Sequence, residues 1–292
     1  LARGVMPDPD DIFDRRRPVH GEPVEEPSLI EPKPPALSGR HVRLDRVDLD
    51  ADAAELFECG HGDGAEALWR FMPYGPFSSE GEMRQWLQHC AASADPLWFV
   101  PRGKIDRSVM GMAAIMEIRP GAGVAEIGHI WFGPSHQGTR EATESLFLLA
   151  DHVLTACRYR RLEWKCNALN LRSRRAARRL GFGDEGIFYN HMIVKGRNRD
   201  TAWFSILDDE WPLVERAFTR WLAPENFGPR GEQKVALSEM TTRHYEVGAL
   251  KLDRITPSER GEIEALQQAA YARNREILGV EPIPLKWDYE KI

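Results

Sequence analysis

The residues best suited to chemistry lie in a short stretch between an apolar run and a helical pattern. This stretch reads Gln137-Gly138-Thr139-Arg140-Glu141-Ala142-Thr143-Glu144. It follows the apolar run Ala125 to Phe132, which ends at Gly133-Pro134, and it opens an apolar-periodic segment from Ser145 to Cys157. A strand that breaks and restarts as a helix leaves the first N–H groups of the helix unpaired, at the positive end of its dipole. We therefore predict an anion site for two phosphates, with Thr143 and Glu144 at the start of the helix; the alternative is an ordinary helix start.

A second pattern runs from Trp164 to Phe182. A strand ends at Asn167, and Asn170, Ser173 and Leu180-Gly181-Phe182 follow. Asn170 is a natural N-cap for a helix, and Ser173 lies one turn into that helix. The Ser173 hydroxyl either faces a reacting group or is a solvated helix side chain, since serine is frequent near helix starts.

The two patterns together resemble those of the GNAT superfamily of acyltransferases. Gln-x-x-Arg-x-Ala, from Gln137 to Ala142, is similar to the Gln/Arg-x-x-Gly-x-Gly/Ala signature that holds the pyrophosphate of acetyl-coenzyme A, although Arg140 stands where the family usually has glycine. The segment from Asn170 to Phe182 resembles Asn-x-x-Ser-x-x-Ala-x-x-x-Leu-Gly-Phe. The resemblance covers roughly residues 40–225 and is closest to the RimJ/RimL-like branch, whose characterised members acetylate protein N-terminal amines.

The resemblance implies the GNAT fold, an α/β domain with a mixed central sheet, a splayed strand pair and helices on both faces. In that fold the pantetheine arm of acetyl-coenzyme A lies between the splayed strands and pairs with their free backbone groups. The residues expected to bind the cofactor are Trp131, Phe132, Gln137, Gly138, Thr139, Arg140, Glu141, Ala142, Thr143 and Asn170. No metal is expected.

Direct transfer requires a neutral amine to attack the thioester carbonyl, so a proton must leave and the oxyanion must be stabilised. Backbone N–H groups near Trp131 and Phe132 are the expected oxyanion donors. Glu126 is the predicted base, acting through water, although a glutamate near the start of a strand is also typical of a solvated edge. His129 and His191 are the alternative bases.

Ser173 is the predicted group that protonates the leaving thiolate. Many family members use a tyrosine four residues before the Gly of Gly-Phe, and Ala177 occupies that position here. Met192 stands where the N-terminal-acetylating branch often has a carboxylate. The acceptor class therefore stays open between a small molecule and a protein N-terminus.

Five arginines occupy the short helix that follows Asn170. They are Arg172, Arg174, Arg175, Arg178 and Arg179. They either contact the ribose phosphate of the cofactor, for which a guanidinium is well shaped, or form a solvated face.

The apolar pattern predicts the elements that position these residues. Strands are expected at 41–47, 97–100, 109–118, 124–132, 162–166, 186–194 and 201–207, and helices at 50–58, 81–90, 145–157, 171–180 and 211–221. An aromatic loop from Trp69 to Phe77 lies between the first two helices and is either a binding wall or a plug at the core edge.

The chain is expected to divide into four parts. Residues 1–35 hold 8 of the 20 prolines and predict a disordered arm, and 36–222 form the acetyltransferase domain. Residues 223–244 are polar and predict a linker, and 245–292 resemble the first strand and helix of a second GNAT domain that ends before its phosphate loop. The alternative for this last segment is a dimerisation arm, which would make the protein a homodimer.

Composition excludes several classes of function. A net charge of −6 is unfavourable for a general nucleic-acid binder. No apolar run is long enough for a membrane span and no secretory signal pattern is present, so a cytoplasmic protein is expected. The four cysteines lack metal or disulfide spacing and are expected to be reduced.

The sequence thus predicts an acetyl-coenzyme A-dependent N-acetyltransferase that transfers an acetyl group directly to an amine. The alternative, left open by Arg140 and by the choice of base, is a catalytically inactive GNAT-fold module that binds or senses acyl-coenzyme A.

Overall fold

The computed structural model describes residue 24 and residues 30–62 and 65–241. The predicted second domain at 245–292 lies outside these residues, as does most of the predicted N-terminal arm at 1–35. In the described end of that arm, Pro32 and Pro34 are buried. No helix in the described part of the chain is long and apolar enough to cross a membrane.

The described strands form an eight-stranded mixed sheet. They are Ala36–Ser38 (β1), Val42–Arg46 (β2), Leu97–Gly103 (β3), Gly111–Arg119 (β4), Val124–Phe132 (β5), Arg161–Asn167 (β6), Gly183–Val194 (β7) and Arg197–Leu207 (β8). Their order is β1-β2-β3-β4-β5-β6-β8-β7, and every neighbouring pair is antiparallel except β5 with β6. A parallel neighbour needs a crossover, which the helix between these two strands supplies.

Helices cover both faces of this sheet. They are Leu49–Gly60 (α1), Glu66–Trp69 (α2), Glu80–Ala92 (α3), Arg140–Asp151 (α4), Leu171–Arg179 (α5), Trp211–Leu222 (α6) and Leu237–Thr241 (α7). Successive side chains of β3 enter different cores: Trp98 packs with α1 and α3, and Phe99 with α4, α5 and α6. Because strand side chains alternate, one strand serves both layers. The predicted mixed α/β fold is confirmed.

The one parallel pair in the described sheet separates after a short contact. β5 and β6 pair at three positions, the last of which joins Glu126 to Glu163. Beyond that point β5 stays paired with β4 as far as Phe132, and β6 stays paired with β8 as far as Asn167. The two facing edges therefore leave a slot between them, which we call the fork, with Glu126 at its base.

A bulge bends β5 beside the fork. Met112 pairs with Trp131 while Ala114 pairs with Gly128, so His129 and Ile130 are accommodated opposite a single residue of β4. His129 has φ +51°, a left-handed conformation that non-glycine residues adopt infrequently. Bulges of this kind redirect side chains, and they are common next to active sites.

The segment predicted as a linker packs on the domain over its described residues, 223–241. Leu237 is fully buried in the core that contains α4, α5 and α6. The Asn226 side-chain amide donates to Trp221 O and Val235 O, and Thr241 Oγ1 donates to Arg179 O at 2.9 Å. The polar composition misled the prediction because these side chains are satisfied by folding back on the domain.

Candidate active site

A cavity of about 1150 Å³ begins at the fork and reaches the start of α4. All twelve residues predicted for catalysis or cofactor binding line it. On the catalytic side these are Glu126 and Ser173, and on the binding side they are Trp131, Phe132, Gln137, Gly138, Thr139, Arg140, Glu141, Ala142, Thr143 and Asn170. The structure thus brings together residues from β5, α4 and α5, while their individual roles stay predictions.

The N-terminus of α4 presents free N–H groups to this cavity. Thr139 is the N-cap: its hydroxyl accepts from Ala142 N–H at 3.1 Å, and its carbonyl accepts from Thr143 N–H at 3.1 Å. The helix therefore begins at Arg140, earlier than predicted, because the threonine cap precedes it. Within the described residues the backbone N–H groups of Arg140 and Glu141 have no acceptor.

The loop before α4 is held in a fixed conformation. Gln137 Nε2 donates to Phe132 O at 3.0 Å, which ties the loop to the end of β5. Gly138 has φ +74°, and a Cβ atom there would meet no atom within 4 Å. Glycine is favoured at this position by its backbone conformation, and the space above it is open.

Arg140 does not extend freely from the helix start. Its Cζ atom lies 4.7 Å from the centroid of the Phe227 ring, in the segment after α6, and Nη2 is 3.9 Å from Glu141 Oε1. Within the described residues its Nε atom is covered and makes no hydrogen bond. The guanidinium is thus engaged by an aromatic ring while the N–H group stays available.

The other arginines that could bind a phosphate divide between the cavity and the surface. Arg179 lines the cavity, its Nη1 donates to Thr143 Oγ1 at 3.1 Å, and its Cζ lies 5.1 Å from the Trp221 ring centroid. Arg178 instead forms two 2.7 Å hydrogen bonds to Asp184 on the surface. The five-arginine helix is therefore partly a solvated face and partly a cavity wall.

Charged side chains converge at the base of the fork. Lys165 Nζ lies 2.9 Å from Glu126 Oε2 and 2.9 Å from Glu163 Oε2, and 4.3 Å from the Trp203 ring centroid. Arg119 Nη2 lies 2.7 Å from Glu163 Oε2, and Arg161 Nε lies 2.8 Å from Glu163 Oε1. Glu163 thus forms ion pairs with three cations. Among the described residues Glu126 pairs with Lys165, which also pairs with Glu163.

These surroundings move the two carboxyl pKa values apart. Burial raises the pKa of Glu126, and the Lys165 ammonium only partly opposes that shift. Burial also acts to raise the pKa of Glu163, but hydrogen bonds from Arg161 and Lys165 outweigh it, so that pKa is lowered. Two neighbouring carboxyls with separated pKa values are typical of a site that handles protons, and Glu126 is the one suited to accept one.

The two candidate histidines lie in different places. His129 lines the cavity, with its ring 4.5 Å from Trp98 and 5.6 Å from Tyr74, and burial lowers its pKa to about 4. His191 is exposed, is not part of the cavity wall, and its Nδ1 lies 3.0 Å from Thr201 Oγ1. Of the two alternatives, only His129 is therefore placed to contact a substrate.

The Ser173 side chain interacts with two residues of β6, Trp164 and Cys166. Its Oγ accepts the indole N–H of Trp164 at 3.0 Å. Burial raises the pKa of Cys166, and a hydrogen bond from the Ser173 hydroxyl opposes that rise. Asn170 Oδ1 accepts from Ser173 N–H at 3.1 Å, so the expected N-cap is formed. The Ser173 hydroxyl thus lies at the cavity wall, near both the Trp164 indole and the Cys166 thiol.

The aromatic loop has both of the predicted roles. Phe71 and Met72 line the cavity, whereas Trp69 is 1% exposed and lies in the core with Phe77. The indole N–H of Trp69 donates to Gly60 O at 2.8 Å, so the buried end of the loop is fixed. One part of the loop is therefore a plug and the other a wall.

Sequence reasoning missed several cavity residues, among them Lys165, Arg199 and Phe227. Lys165 lies inside the quoted motif, and its place next to Trp164 at a strand end was an available signal. Arg199 and Phe227 gave none, because the pairing of β8 with β6 and the return of the chain after α6 depend on distant contacts.

Comparison with known proteins agrees with this geometry. Residues 41–183 match the acetyltransferase (GNAT) domain family. The solved GCN5-related N-acetyltransferase from Brucella melitensis is 43% identical, covers 74% of this chain and 97% of its own, and superimposes with a TM-score of 0.71. The uncharacterized N-acetyltransferase p20 of Bacillus licheniformis is 28% identical over 175 residues, 60% of this chain and 97% of its own. Mycobacterium smegmatis RimJ in complex with CoA-disulfide is 25% identical over 63% of this chain and 92% of its own, with a TM-score of 0.54.

The match to the Brucella protein extends along nearly the whole of that relative. Family membership implies an acyl-coenzyme A co-substrate. This chain belongs to the GNAT family and is an N-acetyltransferase.

Proposed function

We propose that the protein transfers the acetyl group of acetyl-coenzyme A directly to the amine of a small molecule or a protein N-terminus, with Glu126 as base and Ser173 as acid. One observation carries this proposal. Glu126, a buried carboxylate with a raised pKa, lies at the base of a strand fork that opens into the same cavity as the free N–H groups of α4.

The chain's polar groups suit coenzyme A along the length of the cavity. The N–H groups of Arg140 and Glu141, at the positive end of α4, would hold the pyrophosphate. The unpaired edges of β5 and β6 would bind the amides of the pantetheine arm, as an incoming strand would. Acetyl-coenzyme A, when bound, would supply the acetyl thioester that the acceptor amine attacks, and coenzyme A would leave as the thiol.

Of the two residues expected to supply the oxyanion donor, Trp131 and Phe132, the strand geometry favours Phe132. Gly133 N–H donates to Met110 O at 2.9 Å, on the β4 side of the strand. Because successive N–H groups of a strand point to opposite sides, Phe132 N–H is directed into the fork and Trp131 N–H toward β4. Phe132 N–H is therefore the donor that we assign to the thioester oxygen.

Protons move through two side chains in this scheme. Glu126 accepts, through water, the proton that the attacking nitrogen loses as the new C–N bond forms. As the C–S bond breaks, the Ser173 hydroxyl donates its proton to the departing sulfur and recovers one from solvent. Lys165 keeps part of the Glu126 population ionised despite burial, which a base requires.

Glu126→Gln tests the assignment of the base. We expect kcat to fall by about 10²-fold or more, the range of general acid–base catalysis, with little change in the Kd of coenzyme A. In the unchanged protein, kcat/KM calculated for the neutral amine should fall as pH drops through the raised pKa of Glu126, and the variant should lose this limb. Steady-state kinetics from pH 4.5 to 9 would show both effects.

Two controls accompany this experiment. Glu58→Gln makes the same change on an exposed carboxylate of α1 and should be neutral. His129→Asn, which suits the left-handed backbone, should keep the acid limb; its disappearance would identify His129 as the base. If coenzyme A raises the Tm but no amine accelerates thiol release, the protein would instead be an inactive sensor.

A further inference from the structure

Arg199 is a half-buried cation that faces the cavity without a partner. It lies on β8, it lines the cavity, and within the described residues its side chain forms no ion pair or hydrogen bond. Its Nε atom is covered and unsatisfied. Glu126 and Cys166 act on this guanidinium through electrostatics only, so an anion that enters the cavity could still form charge-assisted hydrogen bonds with it.

The other half-buried cations of the cavity are already occupied. Lys165 is bound by Glu126 and Glu163, Arg179 donates to Thr143, and the Arg140 guanidinium lies over Phe227. Arg70 and Arg172 also line the cavity, but their side chains are exposed to solvent. Arg199 is therefore the guanidinium best prepared to bind an anion from the substrate.

The position of Arg199 favours contact with the acceptor substrate rather than with the pyrophosphate of coenzyme A. It lies on the same face of β8 as Trp203, whose ring contacts Lys165 beside Glu126. Its charge also acts on His129 and Cys166, which lie on either side of the fork. Arg140 and Glu141, whose backbone N–H groups are free among the described residues, line the same cavity from α4 rather than from the fork strands.

This end of the cavity is bounded on two sides. Lys195, in the turn between β7 and β8, donates from Nζ to Trp69 O and Tyr74 O at 3.1 Å each and to Gly75 O. The strand that carries Arg199 is thereby joined to the aromatic loop, whose Phe71 also lines the cavity. An aromatic loop tied to this strand favours a small acceptor.

We infer that the acceptor is a small amine bearing a carboxylate or phosphate, which the Arg199 guanidinium binds while the amine reaches Glu126. This inference rests on the proposed function and names its substrate class. The planar set of guanidinium donors suits either anion, and binding of the anion there orients the amine toward the thioester.

The test compares acceptors that differ only in the anionic group. An ω-amino carboxylate is measured against its primary amide, and an aminoalkyl phosphate against the matching amino alcohol. We expect the anionic members to have a higher kcat/KM by about 10- to 100-fold, the range of charged hydrogen bonds, and the better pair identifies the group. Arg199→Gln should remove this preference mainly through KM, and Arg199→Lys should retain part of it.

Matched controls separate this role from a structural one. Arg197→Gln changes an exposed arginine on the same strand, outside the cavity, and should leave the preference unchanged. Thermal-shift titration with the same amines, in the presence of coenzyme A, reads acceptor binding without turnover. It should show the anionic preference in the unchanged protein and its loss in Arg199→Gln.

Three results would overturn the inference. Equal use of charged and neutral amines would do so while leaving the proposed function intact. A loss of coenzyme A affinity in Arg199→Gln would assign the arginine to the cofactor. Faster acetylation of an acidic peptide N-terminus than of any small amine would replace the small acceptor with a peptide. Failure of every amine to accelerate thiol release would count against the proposed function itself, and the binding titration would still decide the anion preference.

Discussion

The Ser173 hydroxyl is suited to donate because its oxygen is already occupied as an acceptor. The Trp164 indole N–H donates to Ser173 Oγ at 3.0 Å, and a hydrogen bond from the Ser173 hydroxyl acts to lower the pKa of Cys166. A thiolate leaving from the fork would meet the same proton. This environment supports the proposed role of Ser173 as the acid, which the spacing of the motif by itself only suggested.

Ser173→Ala should therefore lower kcat by about 10²-fold, with a smaller change in acceptor KM. A thioester whose thiol is more acidic needs less protonation, so it should recover much of the lost rate. Ser173→Thr, which keeps the hydroxyl, is the matched variant and should stay within a few-fold of the original. If the acidic leaving group shows the same defect, Ser173 acts by supporting Trp164 and not as an acid.

Arg140 is the residue at which the phosphate loop departs from the family pattern. Its guanidinium contacts Phe227, while its backbone N–H is free among the described residues. Because the N–H group remains in any variant, Arg140→Gly should leave the Kd of coenzyme A unchanged or lower it. Isothermal titration would measure this, with Arg140→Ala as a variant that retains the helix-forming side chain. A tenfold weaker Kd in both would show that the guanidinium binds the cofactor.

At the scale of elements, one buried carboxylate fixes α4 against the sheet. Glu144 Oε1 accepts Arg40 N–H at 2.7 Å, and Oε2 accepts His41 N–H at 2.7 Å and Val42 N–H at 2.9 Å. A Cβ atom at Gly39 would lie 2.5 Å from this carboxylate, so glycine permits the close approach. The helix that presents the anion site is thus anchored from the turn between β1 and β2.

Glu144→Gln should cost at least about 2 kcal/mol of unfolding free energy, because an uncharged amide has one acceptor oxygen for three donors. Urea denaturation would measure this loss, and the Kd of coenzyme A should weaken if α4 shifts. Glu58→Gln, on the exposed face of α1, should stay within about 0.5 kcal/mol. An equally small effect at Glu144 would mean that water replaces the lost contacts.

At the scale of the whole described molecule, the residues after α6 complete the cavity wall. Phe227 and Gln233 line the cavity, and the Gln233 side chain accepts the Trp221 indole N–H at 2.9 Å. Leu237 anchors the segment in the core. The acetyltransferase domain therefore extends beyond the boundary at residue 222 that the sequence predicts.

Leu237→Ala should lower the unfolding free energy by about 2–5 kcal/mol, as expected for a fully buried leucine. Val235→Ala, at a side chain that is 39% exposed, is the control and should have a much smaller effect. Denaturant titration of the full chain measures both. If both variants lost the same small amount of unfolding free energy, residues 223–241 would behave as the predicted linker.

The prediction of the fold succeeded where the information is local. Val42 and Leu44 alternate with polar neighbours, and Asn170 precedes its helix as a cap does, so neighbouring residues are enough to predict these elements. The segment 223–241 failed for the opposite reason. Its polar residues are satisfied by partners on α5 and α6, which no short window of sequence contains.

The sequence by itself indicated the family, the order of the main strands and helices, and twelve of the residues that line the cavity. It could do so because helix starts, strand ends and the two motifs are encoded by spacing within about twenty residues. Only the tertiary structure decided which charges are paired. Glu126 shares Lys165 with Glu163, and Arg199 is left without a partner among the described residues, because burial and the contacts between distant strands set the energy of each charge.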